Sequence, residues 1–221
     1  MKSRPVAFEA IVDPAGNNAQ KSLSVAQGII AHVRADRFIG SLLDVGCGAG
    51  SLLAAASPYA SELTGVDSSE FFLTKARASL PSARLFCGDA ANLIGLADAT
   101  FDTVTFCDVI EHLANPGLAI AELRRVLKQD GRLVITTPNA DSILRVVLGK
   151  RWNGLADKTH ILLFTALTLR VFIERSGFRV TRLRTLSGPY LPVPLQRIMD
   201  GIRQGGTLYL VAEKLDRSEE F

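Results

Sequence analysis

A glycine-rich loop directly after a short apolar run is the feature that most constrains how this chain can fold. Residues 41–53 read SLLDVGCGAGSLL, with glycines at 46, 48 and 50 and helix-forming residues after them. Glycine is favoured where a backbone turns sharply or must touch a ligand closely. Open α/β sheets bind their ligands at the carboxyl ends of parallel strands. The segment therefore predicts a strand, a ligand-binding loop and a helix in an α/β fold.

The loop departs from a dinucleotide-binding fingerprint at two positions. That fingerprint, GxGxxG, requires a third glycine at position 51, where this chain has Ser51. Asp44 stands two residues before the first glycine. A carboxylate there would face a pyrophosphate unfavourably, because like charges repel. A cationic ligand would tolerate Asp44 better, so the pattern favours a ligand other than a dinucleotide.

Short apolar runs alternate with helical patterns along the chain. The runs that predict the first five strands are residues 41–44, 62–67, 84–89, 101–108 and 131–137. This alternation predicts a parallel sheet with helices on both faces. Two later runs, 178–186 and 207–213, have no full crossover helix between them. Since parallel neighbours need such a crossover, we expect this last pair to be antiparallel.

Aspartates close three successive predicted strands. These are Asp44, Asp67 and Asp89. Asp67 can accept two hydrogen bonds from a ribose diol, and Asp89 can accept one from the exocyclic amino group of an adenine. With Asp44 near an amine, the three together describe a ligand that carries an amine, a ribose and an adenine. Taken singly, each aspartate is also typical of a helix cap or a turn.

Composition is that of a globular protein. The 221 residues are 48% hydrophobic and 21% charged, and we expect one domain over residues 1–221. No apolar run reaches the ~18 residues of a membrane span, and the first residues lack the apolar core of a signal peptide. We therefore expect a cytoplasmic protein. Cys47, Cys87 and Cys107 lack CxxC spacing, which argues against a cysteine-based zinc site or a disulfide framework.

Positive charge is concentrated in one stretch. The net charge is +3, yet residues 150–184 hold eight Lys or Arg against Asp157 and Glu174. Such a stretch can attract an anionic substrate, a nucleic acid or a membrane surface. Aromatic side chains do not interleave these charges as they do in a platform for single-stranded nucleic acid. We expect a solvated basic face and no nucleic-acid partner.

Several motifs resemble those of the class I S-adenosylmethionine-dependent methyltransferases. LLDVGCGAG is similar to the first motif of that family, GVDSS to its second-strand motif and CGDA to its third, and FDTVTFCDVIEHL continues the match. The resemblance covers roughly residues 20–213. It implies a Rossmann-like α/β fold with a seven-stranded sheet in the order 3-2-1-4-5-7-6. Strand 7 is then antiparallel, and helices cover both faces.

The same resemblance implies S-adenosyl-L-methionine as cofactor. Asp67 takes the ribose, the loop glycines line the methionine part, Asp89 and Ala90 border the adenine, and Cys107 makes a backbone contact. The full predicted cofactor-binding set is Asp44, Gly46, Cys47, Gly48, Gly50, Asp67, Ser68, Asp89, Ala90 and Cys107. As a reactive thiol Cys107 has little support, and Cys47 and Cys87 are expected to pack as small apolar residues.

The string DVIEHL at residues 108–113 resembles the subgroup that contains the ubiquinone-biosynthesis O-methyltransferases. His112 is the predicted general base, because histidine titrates near neutral pH. The resemblance also brings His160 to the site as a second histidine. The plainer interpretation is that Glu111 and His112 make polar contacts at a helix start and that His160 bonds backbone.

A divalent metal ion is a further hypothesis. Asp108, Glu111, His112 and His160 form a mixed oxygen and nitrogen set that suits Mg²⁺ or Mn²⁺. The resemblance to quinone and small-RNA methyltransferases, which use divalent ions, supports it. The alternative is that His112 acts as a base without any metal.

Two segments fall outside the repeating sheet pattern, at residues 138–164 and 187–204, and we expect them to form the lid and the acceptor pocket. Their apolar content predicts a small apolar or aromatic acceptor, which can carry a lipid-like tail. Lys150, Arg151 and Lys158 could hold an acidic group on it, and we expect the methyl group to be transferred to oxygen. Trp152 either stacks on a flat acceptor or covers the core. The rival functions are an RNA or protein methyltransferase that uses residues 150–184, and a non-catalytic cofactor-binding module. The sequence predicts no oligomeric state.

Overall fold

The computed structural model describes residues 17–35, 38–187, 193–202 and 204–215. These residues form an α/β fold in which one sheet carries seven strands. The strands are β1 Gly40–Val45, β2 Ala60–Asp67, β3 Arg84–Cys87, β4 Phe101–Cys107, β5 Leu127–Pro138, β6 Phe178–Leu186 and β7 Thr207–Lys214. The α-helices are α1 Asn17–Arg34, α2 Ser51–Ala56, α3 Glu70–Ser79, α4 Pro116–Val126, α5 Ile143–Leu148, α6 Asn153–Ala156, α7 Ala166–Arg175 and α8 Val193–Gly201.

The sheet has the order β3-β2-β1-β4-β5-β7-β6. Strands β1 to β5 pair in parallel, whereas β7 runs antiparallel to both β5 and β6. Val134 on β5 pairs with Val211 on β7 in this antiparallel register. The order and the antiparallel seventh strand that the motifs implied are therefore confirmed, as is the antiparallel pairing predicted for the last two strands.

Helices cover both faces of the sheet because each presents one apolar stripe to it. On one face, Ile120 and Leu123 of α4 and Leu169 of α7 are completely buried. On the other face α1, α2 and α3 contribute a second cluster, in which Ile30 and Leu53 are buried. The two layers leave the carboxyl edge of the parallel strands uncovered by either cluster, and the loops at that edge are where a ligand site belongs.

The basic stretch at residues 150–184 is spread over several elements. Arg170 on α7 pairs with Glu174 at 3.6 Å, and Arg179 on β6 pairs with Glu213 at 3.1 Å. Strand β6 lies at the edge of the sheet, where charged side chains oppose pairing with another chain. This arrangement favours the interpretation of a solvated basic face.

Among the helices that the structure describes, none combines the length and the apolar character that a membrane-crossing helix needs.

Gly65 on β2 gives a test of how tightly the layer beneath the loop is packed. A Cβ at this position would lie 2.8 Å from Cys47 Sγ and 2.9 Å from Leu53 Cδ1. We predict that Gly65→Ala lowers the free energy of unfolding by about 1–3 kcal/mol, since overpacking forces neighbours to shift. Gly28→Ala is the matched control, because a Cβ there meets nothing within 4 Å inside α1. It should raise the free energy of unfolding by about 0.5–1 kcal/mol through helix propensity. Urea denaturation measures both, and equal effects would contradict the packing argument.

Candidate active site

The glycine loop between β1 and α2 turns through three left-handed residues. Gly46, Gly48 and Gly50 have φ angles of 81°, 51° and 83°. A Cβ on Gly46 would lie 2.2 Å from Val109 Cγ2, so the loop and the chain after β4 approach too closely for a side chain. The backbone N–H groups of Gly46 and Cys47 both donate to the Val66 carbonyl, at 2.8 and 3.1 Å. The loop is thereby held over the end of β2.

Asp67 bonds this loop to the start of α3. One carboxylate oxygen accepts from Gly48 N at 2.7 Å, and the other accepts from Ser69 N at 2.8 Å. Each carboxylate oxygen can accept a second hydrogen bond. Asp89 is held in a similar way, because its Oδ1 accepts from Ala91 N at 2.8 Å. Both carboxylates therefore keep acceptor capacity for a ligand.

A cavity of about 1140 Å³ lies at this edge of the sheet. Its size suits a nucleoside-sized ligand with space beside it. Ten of its lining residues come from the ends of β1 and β2 and from the loops after β1, β2 and β3, and most of them are glycines or short polar residues. The residues that line the cavity are Ser22, Val45, Gly46, Gly48, Val66, Asp67, Ser68, Ser69, Phe71, Phe72, Gly88, Asp89, Ala90, Asp108, Val109, His112, Leu113 and Thr159.

Six of the ten predicted cofactor-binding residues are in this lining, and four are not. The six are Gly46, Gly48, Asp67, Ser68, Asp89 and Ala90. Of the others, Gly50 caps the start of α2, where a Cβ would meet Ala76 and Leu80. Cys47 and Cys107 lie among the apolar residues below the loop, and burial raises the pKa of each thiol. Neither cysteine is activated as a nucleophile.

Asp44 is the fourth predicted residue outside the lining. It is only 3% exposed, and its Oδ1 accepts a hydrogen bond from Thr105 Oγ1 at 2.7 Å. Burial raises the pKa of this carboxyl from 3.8 to about 7, although the hydrogen bond from Thr105 opposes the shift. Asp44 is therefore a buried acid outside the lining that is about half protonated near pH 7.

The segment after β4 brings Asp108 and His112 to the cavity. Asp108 adopts a left-handed φ of 53°, and its Oδ1 accepts from Thr136 Oγ1 at 3.2 Å. Burial raises the pKa of Asp108. A short 3₁₀ turn, Ile110–His112, follows, and it places His112 in the lining.

Glu111, between these two residues, is 1% exposed and does not line the cavity. Its Oε2 accepts from Thr137 Oγ1 at 3.0 Å, whereas Oε1 has no hydrogen-bond partner among the described residues. Burial, followed by the charge of Asp108, raises the pKa of Glu111 to about 8.

His160 reaches the same place from the segment between α6 and α7. The Glu111 carbonyl accepts from Ile161 N at 2.9 Å and from Leu162 N at 3.1 Å, which ties that segment to the 3₁₀ turn. The rings of His112 and His160 then meet edge to face, with centroids 4.6 Å apart. Burial lowers the pKa of His112, and His160 lowers it further.

Three of the four predicted metal ligands converge. One ligand atom from each of Glu111, His112 and His160 lies within 4.8 Å of the others. Asp108, whose Oδ1 accepts from Thr136 Oγ1, is not part of this group. The structure thus brings three of the four predicted ligands together, and metal binding itself stays a prediction.

The predicted acceptor segments contribute little to the lining of this cavity. From residues 138–164 only Thr159 lines it, and the described part of 187–204 supplies no lining residue. Residues 188–192 and 203 lie outside the described chain. Trp152 is 2% exposed and packs over Gly154, whose Cβ would overlap its ring. Trp152 therefore covers the interior and does not stack on a ligand in this cavity.

Sequence reasoning missed several lining residues. Phe71 and Phe72 supply an apolar wall at the start of α3, and Ser22 comes from α1. The Phe-Phe pair directly after the acidic loop is a signal that could have been used, since exposed aromatic residues at a helix start are unusual. Nothing in the spacing connects Ser22 or Thr159 to the loop, because both reach it through tertiary packing.

A family model described as "Methyltransferase domain" matches residues 43–135. The ubiquinone biosynthesis O-methyltransferase of Idiomarina loihiensis is 34% identical over 62% of this chain and 56% of its own length. The malonyl-[acyl-carrier protein] O-methyltransferase of Serratia marcescens is 29% identical over 76% of this chain and 68% of its own length. For five curated relatives, the Idiomarina loihiensis protein included, the alignments cover 31% to 56% of each protein's length. The chain thus spans about half the length of these relatives.

The fold is also similar to that of solved structures. A putative methyltransferase of Haloferax volcanii, solved in complex with the Trm112 methyltransferase activator, superposes with a TM-score of 0.72 at 18% identity, over 90% of this chain and 92% of that one. Residues 43–135 thus carry the methyltransferase domain that the sequence motifs indicated, and the curated relatives support that match. The match implies S-adenosylmethionine as the methyl donor.

The buried acid below the loop gives a test by pH. Between about pH 4 and pH 7 the folded protein keeps a proton on Asp44 that the unfolded chain has released, so this carboxyl lowers the free energy of unfolding as pH rises. Asp44→Asn removes that titration and retains an oxygen for Thr105. We predict that the stability of the variant relative to wild type increases from about pH 5 to about pH 8 in urea denaturation. The exposed Asp98, changed to Asn, is the control, and a pH-independent difference for Asp44→Asn would contradict the buried-acid interpretation.

Proposed function

We propose that this protein transfers a methyl group from S-adenosylmethionine to a small apolar or aromatic acceptor at an oxygen atom. The observation that carries the proposal is that His112 lines the same cavity as the glycine loop, Asp67 and Asp89. A candidate base and a candidate nucleoside site thus share one cavity. Methyl transfer requires this proximity, because acceptor and donor must be aligned and shielded from water.

The cavity residues fit S-adenosylmethionine by their donor and acceptor chemistry. Asp67 retains one acceptor position on each oxygen after binding Gly48 N and Ser69 N, which suits the two hydroxyls of a ribose. Asp89 suits an adenine amino group, and a Cβ at Gly48 would meet nothing within 4 Å, so that glycine leaves space for a ligand. When bound, the cofactor supplies an electrophilic methyl group on a sulfonium.

His112 is proposed as the general base. Burial lowers its pKa, so the ring is neutral at pH 7 and can accept a proton from a hydroxyl. Phe71, Phe72, Val109 and Leu113 give the same cavity an apolar surface, which favours an apolar or aromatic acceptor. The two curated relatives named above are O-methyltransferases, and this supports oxygen as the receiving atom.

A metal-assisted reaction is the second candidate, and one observation favours it. The buried Oε1 of Glu111 lacks a hydrogen-bond partner among the described residues, and Glu111 forms the three-residue group with His112 and His160. A buried polar atom of this kind is costly unless something binds it. Mg²⁺ or Mn²⁺ at these three residues would supply a Lewis acid for the acceptor hydroxyl.

Cofactor binding is tested at Asp67. We predict that Asp67→Ala weakens S-adenosylmethionine binding by about 10- to 150-fold, which corresponds to about 1.5–3 kcal/mol for charge-assisted hydrogen bonds. Titration calorimetry measures the affinity, with Asp98→Ala as a control because that side chain is exposed and outside the lining. Asp67→Asn keeps the side-chain volume and separates loss of charge from loss of packing. Unchanged affinity in Asp67→Ala would remove the ribose role, and no binding by wild type would overturn the proposed function.

The role of His112 is tested by a methyl-transfer screen over phenols, quinols and polar lipids. We predict that His112→Ala lowers kcat by about 10²- to 10⁴-fold, the range of general acid–base catalysis. His32→Ala is the control, since His32 packs against Tyr209 at 5.5 Å and is outside the lining. Activity that persists in excess chelator supports the base, whereas activity lost in chelator and restored by Mg²⁺ or Mn²⁺ supports the metal. Full activity of His112→Ala would remove both roles.

A further inference from the structure

Asp157, Thr159 and His112 form a continuous chain of hydrogen bonds that ends at the cavity. Thr159 Oγ1 lies 2.6 Å from Asp157 Oδ1 and 2.9 Å from His112 Nδ1. Thr159 N also donates to Asp157 Oδ1 at 2.8 Å, so carboxylate and hydroxyl are fixed relative to each other. Both Thr159 and His112 line the cavity.

The chemistry of the three groups sets the direction of these hydrogen bonds. The Thr159 hydroxyl lies 2.6 Å from Asp157 Oδ1 and 2.9 Å from His112 Nδ1, and Thr159 N donates to the same Asp157 oxygen. A carboxylate only accepts hydrogen bonds, so the single hydroxyl proton of Thr159 points to Asp157. The lone pair of the same hydroxyl oxygen can then accept a hydrogen bond from His112 Nδ1. The order of donation is His112 to Thr159 to Asp157.

We propose that Thr159 and Asp157 are positioning residues that hold His112 as the tautomer with its proton on Nδ1. Nε2 then carries the lone pair that receives the acceptor's proton. This inference rests on the proposed function for its catalytic consequence, although the tautomer itself is a property of the resting protein. An orienting group on one imidazole nitrogen determines which nitrogen acts as the base.

These groups account for every proton that moves in the proposed reaction. As the acceptor oxygen bonds to the methyl carbon, the sulfur–carbon bond breaks and its electron pair stays on sulfur. The hydroxyl proton of the acceptor moves to His112 Nε2, and the resulting imidazolium later releases one proton to water. While the ring is charged, the Asp157 carboxylate stabilises it through the Thr159 hydroxyl.

The same segment also orients the second histidine. His160 Nδ1 lies 3.3 Å from the Gly154 carbonyl, which only accepts, so this nitrogen carries the proton. His160 Nε2 lies 3.8 Å from Asp157 Oδ2. One carboxylate therefore faces both rings, and the string DKTH at residues 157–160 arranges them together. This explains why Asp157 and Thr159 belong with the site although neither was singled out as a site residue by its sequence context.

The tautomer is tested first, without any substrate. Nitrogen-15 NMR distinguishes Nδ1–H from Nε2–H histidines, and the signals that disappear in His112→Ala assign the ring. We expect Nδ1–H in wild type and in Thr159→Ser, and loss of that preference in Thr159→Val, which keeps the volume and removes the hydroxyl. Lys158→Ala, an exposed neighbour, is the control that leaves the tautomer unchanged.

Kinetics test the consequence, with a catechol as the acceptor. Thr159→Val should lower kcat by about 10- to 100-fold, the usual range for orienting partners, with the KM for S-adenosylmethionine unchanged. Thr159→Ser should restore kcat to near the wild-type value, which a loss of packing alone would not predict. Thermal unfolding checks each variant, and Asp157→Asn replaces Thr159→Val as the test if the latter does not fold.

Two results would overturn the inference. One is an Nε2–H tautomer for His112 in wild type, and the other is a tautomer that does not respond to Thr159→Val. Equal kcat for Thr159→Val and Thr159→Ser would likewise remove the positioning role. If no acceptor is methylated by wild type, the proposed function fails, and the NMR measurement still decides the tautomer independently.

Discussion

The two hydrogen bonds accepted by the Asp67 carboxylate are the interaction on which the site depends. They join Gly48, in the loop after β1, to Ser69, at the start of α3. Parallel pairing alone brings the ends of β1 and β2 side by side, but it does not set the path of the loops beyond them. Because one charged group satisfies an amide from each loop, it organises the loop backbones and the floor of the cavity together.

The backbone carbonyl of Glu111 plays the corresponding part on the other side of the cavity. By accepting from Ile161 N and Leu162 N, it fixes the segment that carries Thr159 and His160 against the turn that carries His112. Residues some fifty positions apart in sequence thus meet through backbone bonds and require no particular side chain at 161 or 162. The histidine pair is consequently a product of chain geometry, and its side chains can be specialised for chemistry.

Features that depend on local sequence pattern, such as helices packed on the sheet and the direction of the last strand, could be predicted from the sequence. The alternation of patterns predicted helices packed on the sheet, and α4 is one of them, with Ile120 and Leu123 buried. The missing crossover predicted that β7 runs antiparallel to β6. The order of the whole sheet came from the motif resemblance. Pattern could not find Thr159 or Ser22, because their roles depend on contacts between distant elements. It also left Trp152 undecided, which the structure resolves through its packing over Gly154.

Several carboxyl groups near this cavity are hydrogen-bonded to threonine hydroxyls. Four acids near the cavity have a threonine hydroxyl within hydrogen-bond distance, and the pairs are Asp44–Thr105, Asp108–Thr136, Glu111–Thr137 and Asp157–Thr159, whereas Asp67 and Asp89 accept from backbone N–H groups. A hydroxyl donates to an ionised carboxylate and accepts from a protonated one, so it satisfies either state. Burial raises the pKa of the first three acids, which limits the repulsion between like charges that would otherwise oppose their grouping. Asp157 differs because two bonds from Thr159 keep it ionised. Beside the histidine pair, Asp157 thus supplies the negative charge that orients His112, whereas the charge of Asp108 and of Glu111 depends on pH.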